Sequence, residues 1–167
     1  MQISIIVAVS ENNCIGKDNK LLWQLPVDMA FFKEKTLNHC VLMGSNTYRS
    51  IPSKFRPLPN RVNIVLTRKG IDEQKDNLYI VSSLAAGIEK AESIREEELF
   101  IIGGAEIYHQ SIDKANKIYL TRVHIQLEGD AYFPTLDTNK WKLISTKTIS
   151  KDEKNEYDCT FETWVKI

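Results

Sequence analysis

The chain has 167 residues, of which 43% are hydrophobic and 26% are charged, a composition typical of one soluble globular domain. Its 22 basic residues are balanced by 22 acidic residues, so no strong electrostatic field favours nucleic acid or an anionic membrane surface. No run approaches the roughly 18 apolar residues of a membrane span, and the apolar first segment lacks the basic start of a signal peptide.

The three cysteines, Cys14, Cys40 and Cys159, are odd in number and widely spaced. They form no C-x-x-C pair, so neither a disulfide framework nor a zinc site is indicated. We therefore expect free thiols, a cytoplasmic location and no metal ion. No repeat or Gly/Ser-rich linker divides the chain, which predicts a single domain over residues 1–167.

Short apolar runs rich in β-branched residues predict strands buried on both faces, as in parallel sheets. In chain order these runs are ISIIVAV, HCVLMG, VNIVLT, LYIVS, LFIIG and KIYLTRV. Helices are predicted between them: Val27 to Lys35 after Pro26, a short helix from Asn46, one from near Ser83, and AEIYHQSI after Gly103 and Gly104. The alternation predicts an α/β fold. The last two segments, around a polar turn near Asp152 to Asn155, predict an antiparallel hairpin.

Three of the predicted strands end in groups that suit phosphate binding. FIIGGAEIY ends its strand in Gly103 and Gly104 and opens a helix whose N–H groups could receive a phosphate, although a turn that only permits close packing fits equally well. IVLTR places Arg68 at the same sheet edge, where it could grip a phosphate or simply be solvated. LMGSNT adds a possible contact from Asn46 or Thr47. Three such edges in one sheet favour a nucleotide ligand.

Asp28 stands in an apolar setting two positions after Pro26. An acid in the first helical turn can simply complement the helix dipole. Asp28 also shares a helix face with Phe31 and Phe32, with Met29 alongside, so a buried carboxylate here needs a charged or hydrogen-bonding partner. A ligand with a forked N–H donor group would serve. The residues alone leave both interpretations open.

Five stretches carry a resemblance to a known family: IGKDNKLLWQLPVDMAFFK, VLMGSNTYRSIP, FRPLPNRVNIVLTR, FIIGGAEIY and YLTRVHIQLEGDAYFP. In order and spacing, along nearly the whole chain, they resemble dihydrofolate reductases. The resemblance implies a mostly parallel eight-stranded sheet with flanking helices and an antiparallel C-terminal strand. It implies NADPH-dependent reduction of 7,8-dihydrofolate to 5,6,7,8-tetrahydrofolate, by hydride transfer to C6 with protonation of N5. We expect a monomer that binds these small molecules.

By this resemblance, Asp28 is the acid that holds the pterin ring, and Thr121 is the threonine that supports it. Trp23 and Leu21 belong to a mobile loop, residues 15–24, that closes over the nicotinamide. Arg61 is similar to the arginine that takes the α-carboxylate of the glutamate tail in a bidentate pair. The implied catalytic residues are Asp28, Trp23, Leu21 and Thr121. The implied substrate-binding residues are Ile6, Ala8, Asp28, Met29, Phe32, Ile51, Leu58, Arg61 and Thr121.

The same resemblance assigns a set of residues to the cofactor. Gly103 and Gly104 match the family's glycine turn at the pyrophosphate, with a cis peptide between them, and Arg68 would meet the 2′-phosphate. Ser45 stands where many members carry a basic residue, and Glu106 also lacks positive charge, so fewer cations than usual are expected around the phosphates. The full set is Ala8, Ile15, Gly16, Ser45, Asn46, Thr47, Leu66, Thr67, Arg68, Ile102, Gly103, Gly104, Ala105, Glu106, Ile107 and Tyr108.

Two other classes of function stay open. A riboflavin-pathway pyrimidine reductase of the same fold would use NADPH but should lack the WQLPVD and RPLPNR segments. A noncatalytic nucleotide-binding module would keep the glycine turn but has no reason to bury Asp28. The histidines His39, His109 and His124 match no catalytic position of the family, and we expect them at the surface or in an interface.

Overall fold

The computed structural model describes residues 1–17 and 20–167. Its strands are β1 (Gln2–Val9), β2 (Cys14–Gly16), β3 (Cys40–Gly44), β4 (Val62–Leu66), β5 (Leu78–Val81), β6 (Glu98–Gly103), β7 (Lys117–Val123), β8 (Ala131–Tyr132), β9 (Trp141–Ile149) and β10 (Cys159–Lys166). Eight of them form one sheet in the order β5-β4-β3-β6-β1-β7-β10-β9.

The first six strands in this order, β5, β4, β3, β6, β1 and β7, run parallel to one another. Strand β10 lies antiparallel to both of its neighbours, β7 and β9. The predicted α/β fold, with a mostly parallel eight-stranded sheet and an antiparallel C-terminal strand, is therefore confirmed. A second small sheet pairs β2 with β8. This pair was not predicted, because strands of three and two residues are too short to show a period in the sequence.

The helices are α1 (Pro26–Thr36), α2 (Ser45–Ser50), α3 (Leu84–Ser93) and α4 (Ala105–Ser111), with a short 3-10 turn at Ser53–Phe55. Ser83 caps α3, since its Oγ accepts the N–H of Ala86 at 3.0 Å. Each helix lies where the sequence predicts one. Within residues 1–17 and 20–167, no helix is long and apolar enough to cross a membrane.

Both faces of the sheet are covered. Val41 and Leu42 are each fully buried, but they belong to two different apolar clusters, because successive strand residues point to opposite faces. The helix α3 packs closely on one face, where a Cβ at Gly87 would lie only 2.4 Å from Leu42 Cδ1. Burial on both faces explains why the parallel strands read as continuous apolar runs.

The sheet brings the carboxyl ends of β3, β4 and β6 together, because these three strands are direct neighbours. On the other side of β6, strand β1 pairs with β7 in a register that puts Ala8 opposite Thr121. The predicted phosphate-binding edge and the predicted support for Asp28 therefore lie along the same edge of one sheet.

Candidate active site

A cleft of about 890 Å³ opens at the carboxyl ends of β3, β4 and β6. Every residue that the sequence assigned to the cofactor lines it: Ala8, Ile15, Gly16, Ser45, Asn46, Thr47, Leu66, Thr67, Arg68, Ile102, Gly103, Gly104, Ala105, Glu106, Ile107 and Tyr108. These residues come from segments that are far apart in the sequence. The strand order of the sheet gathers them around one space large enough for an organic ligand.

The glycine turn forms one wall of this cleft. The peptide between Gly103 and Gly104 is cis, as the resemblance implied, and Gly103 has a φ of +127° that side chains rarely adopt. A Cβ at Gly104 would lie 3.3 Å from Thr47 Oγ1. The bare glycine backbone and the Thr47 hydroxyl therefore face each other across a narrow gap.

Positive charge collects around the same cleft. Arg68 lines it as predicted, and so do Arg49, Lys69 and Lys20, which sequence reasoning missed. A signal for Arg49 was present, because it stands four residues after Ser45 and so shares its helix face. Ser45 and Glu106 supply no positive charge here, but Arg49, Lys69 and Lys20 add three cations to Arg68 in the lining of the cleft.

A second cleft of about 410 Å³ is lined by Leu21, Trp23, Gln24, Leu25, Pro26, Asp28 and Met29. Leu21 lines both clefts, so the two spaces adjoin. Trp23 is buried, and its indole Nε1 is a buried donor with no hydrogen-bond partner in the described part of the chain. The expected mobile loop, residues 15–24, includes residues 18 and 19, which lie outside the described residues. Its mobility stays a prediction.

Asp28 lies in the first turn of α1 and is partly buried. Its Oδ1 accepts a hydrogen bond of 2.7 Å from Oγ1 of Thr121, a buried residue of β7. Burial raises the pKa of Asp28, and the Thr121 hydrogen bond opposes part of that rise. None of the ion pairs found within residues 1–17 and 20–167 includes Asp28. The helix-dipole interpretation explains the position of this acid but not its hydrogen bond to the sheet.

Further predicted substrate residues pack in one apolar cluster close to α1. Ile6 is buried, and Phe32, Ile51 and Leu58 pack against the same cluster. Ala8 contacts a different cluster, the one that contains Trp23, and it also lines the larger cleft. The exposed side chain of Met29 lines the smaller cleft beside Asp28.

Arg61 is a buried cation, with 7% of its surface exposed. Its Nε donates to Pro59 O at 3.0 Å and its Nη1 donates to Thr36 Oγ1 at 3.2 Å. Burial lowers the pKa of Arg61. The ion pairs found in the described ranges include no carboxylate partner for it. The guanidinium is thus held in place by neutral groups and suits an anionic ligand.

None of the three histidines is among the residues that line the two clefts. His39 Nδ1 pairs with Glu96 at 2.8 Å, and His124 bonds to Glu11 and to Thr160. The side chain of His109 is exposed. Residues 1–17 and 20–167 contain no group of three His, Cys, Asp or Glu side chains that could hold a metal ion.

The model of one protein family, described as dihydrofolate reductase, matches residues 2–166. The chain belongs to the dihydrofolate reductase family. It is 43% identical over 164 residues to the dihydrofolate reductase of Bacillus subtilis (strain 168), covering 98% of this chain and 94% of that protein. It is 38% identical over 161 residues to that of Haemophilus influenzae (strain ATCC 51907 / DSM 11121 / KW20 / Rd), covering 96% of both.

A solved structure gives the same result in three dimensions. The dihydrofolate reductase from Enterococcus faecalis complexed with NADP(H) and RAB-propyl has a TM-score of 0.88 and 34% sequence identity, covering 99% of this chain and 96% of that chain. Dihydrofolate reductases are NADPH-dependent oxidoreductases, so the predicted family and enzyme class are confirmed. The roles of individual residues stay predictions.

Proposed function

We propose that this protein reduces 7,8-dihydrofolate to 5,6,7,8-tetrahydrofolate with NADPH as the hydride donor. The observation that carries the proposal is the carboxylate of Asp28, hydrogen-bonded to Thr121 and lining a cleft that adjoins the larger one at Leu21. The family match over residues 2–166 and the Enterococcus faecalis relative complexed with NADP(H) support the choice of both ligands.

The larger cleft suits a phosphorylated dinucleotide. Bare glycine backbone at Gly103 and Gly104, the Thr47 hydroxyl and the cations Arg68 and Lys69 are groups that bind phosphate. In this proposal Arg68 contacts the 2′-phosphate, which NADH lacks. When bound, NADPH supplies the hydride from C4 of its nicotinamide.

The smaller cleft and the neighbouring apolar cluster suit a pteridine with an acidic tail. Asp28 accepts N–H donors from the exocyclic amino group and the adjacent ring nitrogen, while Thr121 holds one carboxylate oxygen in place. The apolar residues that enclose the substrate are Ile6, Ala8, Met29, Phe32, Ile51 and Leu58. Arg61, whose described contacts are neutral, takes the α-carboxylate of the glutamate tail.

The net reaction joins dihydrofolate, NADPH and one proton to give tetrahydrofolate and NADP⁺. The hydride goes to C6 and the proton to N5, so any group that favours the protonated substrate accelerates the step. Asp28 has this role, because a buried carboxylate beside the pterin stabilises positive charge on it. Trp23 and Leu21 close the site over the reacting atoms and restrict the entry of water.

The test is the loss of NADPH absorbance with dihydrofolate present, against a control without substrate, with tetrahydrofolate quantified as product. We expect one tetrahydrofolate for each NADPH consumed. Asp28→Asn should lose most of this activity at neutral pH, and Asp72→Asn, a change at an exposed carboxylate, is its matched control. A pyrimidine reductase would leave dihydrofolate unreduced and would reduce a ribosylaminopyrimidine. A noncatalytic module would bind NADPH without oxidising it. Either result would overturn the proposal.

A further inference from the structure

Helix α1, which carries Asp28, has no cap of its own. The residue before the helix is Leu25, whose side chain makes no capping hydrogen bond. The amides of Asp28 and Met29 bond to Leu25 O at 2.9 and 3.1 Å. Pro26 has no N–H, so the amide of Val27 is the group in the first turn that still needs a partner.

That partner comes from the turn between β9 and β10. Asn155 Oδ1 accepts the Val27 N–H at 3.0 Å, from 128 residues further along the chain. Asn155 is 7% exposed, although it lies in a polar turn where asparagine is usually solvated. A buried amide of the last hairpin thus does for α1 what an N-cap side chain does in other helices.

The orientation of the Asn155 amide is determined by a second residue. Asp152 Oδ1 accepts from Asn155 Nδ2 at 3.0 Å and from the backbone N–H groups of Lys154 and Asn155 at 2.9 and 2.8 Å. Because the amide nitrogen faces a carboxylate, the amide oxygen is left to face Val27. The two polar ends of one side chain therefore join the turn to the helix.

A neighbouring contact fixes the chain just before α1. The Gln24 N–H donates to Glu156 Oε1 at 2.9 Å, and Trp23 and Leu25 pack in one cluster with Cys159 at the start of β10. The same hairpin therefore contacts the chain on both sides of Leu25 and Pro26. This short segment joins Trp23 to Asp28, two residues of the smaller cleft to which the proposed function gives a role.

We propose that Asn155 is a positioning residue for the reduction, one that fixes the start of α1 and so holds Asp28 against Thr121. It acts through Val27 and is absent from the residues that line the two clefts. The inference rests on the proposed function, because it concerns the placement of the proposed pterin acid. An uncapped first turn could shift or fray, and small displacements of a substrate-binding group are costly to rate.

The test compares three variants with wild type by single-turnover hydride transfer across pH. Asn155→Ala removes both polar ends of the side chain. Asn155→Asp keeps an acceptor for Val27 but sets two carboxylates against each other. The double variant Asp152→Asn with Asn155→Asp exchanges the two groups, so the amide at 152 can again donate to an acceptor that faces Val27. Asn139→Ala, in the exposed turn before β9, is the matched control.

We expect Asn155→Ala to slow single-turnover reduction about tenfold to a hundredfold and to move the midpoint of the pH–rate profile. The dissociation constant for NADPH should be unchanged, and the control should behave as wild type. The double variant should recover most of the rate that Asn155→Asp loses. This recovery can be measured whether or not Asn155→Ala folds.

Two results would overturn the inference. In the first, Asn155→Ala unfolds at lower urea but keeps the wild-type rate and pH midpoint, which is the behaviour of a purely structural cap. In the second, the exchange of the two groups restores no rate to Asn155→Asp. Failure of the proposed function would look different, because wild type itself would then leave dihydrofolate unreduced.

Discussion

Thr121 and Asp28 lie 93 residues apart in the chain, yet Thr121 Oγ1 donates to Asp28 Oδ1 over 2.7 Å. The bond joins β7 to α1 at the rim of the proposed pterin site. Burial raises the pKa of Asp28 and this bond opposes the rise. Asp28 therefore holds its proton more tightly in the folded protein without ligand than in the unfolded chain. The contribution of this pKa difference to the free energy of unfolding is present below the pKa that Asp28 has in the unfolded chain. It is lost as pH rises through the pKa that Asp28 has in the folded protein.

Asp28→Asn should slow single-turnover hydride transfer by orders of magnitude at neutral pH, because the amide keeps the shape but loses the charge that favours protonated substrate. Acid should rescue the variant, since protonated dihydrofolate then enters from solution. Wild type should gain less from acid. The same variant without ligand should unfold at equal or higher urea than wild type at neutral pH, because a costly buried charge is removed.

The measurement is the rate of hydride transfer against pH for wild type and Asp28→Asn, with Asp72→Asn as the control. A variant that is fast at neutral pH would contradict the role of Asp28. So would a variant that stays slow in acid while it remains folded and binds NADPH.

Thr121→Val should move the pH–rate midpoint to higher pH. Valine has the shape of threonine but cannot donate, so the hydrogen bond that lowers the pKa of Asp28 is lost. The free energy of unfolding should fall by about 1 kcal/mol. Thr146→Val, on the exposed part of β9, is the control and should change neither quantity. A midpoint that stays in place would show that this hydroxyl does not tune the acid.

Arg61→Leu should weaken dihydrofolate binding by about 2–5 kcal/mol, the range for breaking a desolvated charge pair. NADPH binding should be nearly unchanged, because Arg61 is absent from the residues that line the larger cleft. Calorimetric titration with each ligand provides the comparison. A pterin without the glutamate tail is the internal control and should bind both proteins equally. Equal losses for both ligands would show that the substitution acts through the fold.

Arg68→Ala should erase most of the preference for NADPH over NADH, because in the proposed function its guanidinium faces the 2′-phosphate. The ratio of kcat/KM for the two cofactors is the measurement. The variants Arg49→Ala and Lys69→Ala would show how far the other cations of the cleft contribute. Lys54→Ala, at an exposed lysine outside the lining of the cleft, is the control. If Arg68→Ala keeps the wild-type ratio, the assignment of Arg68 is wrong.

Glu96→Gln should lower the free energy of unfolding by about 1–3 kcal/mol at neutral pH. Burial would raise the pKa of Glu96, but hydrogen bonds from His39 and from the backbone of Glu98 and Cys40 outweigh it and lower the pKa. Its contribution to stability is therefore present above the unfolded pKa and is lost as pH falls through the folded pKa.

Urea unfolding at neutral and at acid pH tests this prediction. The difference between Glu96→Gln and wild type should shrink in acid, and hydride transfer should be unaffected, because Glu96 lines neither cleft. Glu97→Gln, at an exposed neighbour, is the control. If the difference in the free energy of unfolding between Glu96→Gln and wild type stays the same in acid, the negative charge of Glu96 is not what stabilises the fold.

The helices and the strands of the eight-stranded sheet could be predicted because their signals are local. Apolar runs with turn residues between them marked the strands, and Pro26 and Ser83 marked the starts of two helices, one predicted at Val27 to Lys35 and found at Pro26–Thr36. Such patterns depend on the few residues inside each segment. The residues also placed Arg68 and the glycine turn at one sheet edge. The roles of Thr121 and Arg61 came only from the resemblance to a family.

The tertiary structure decided which distant residues meet. The strand order brings Asp28 to Thr121, sets Thr47 against the glycine turn and places Arg49 and Lys69 around the larger cleft. The polar turn near Asp152 to Asn155 was predicted, but the hydrogen bond from Val27 at the start of α1 to Asn155 was not. These contacts depend on the order and register of whole strands, which the period of a single segment does not encode. The sequence by itself determined the elements and the chemistry available at their ends, and packing determined which of those groups share a site.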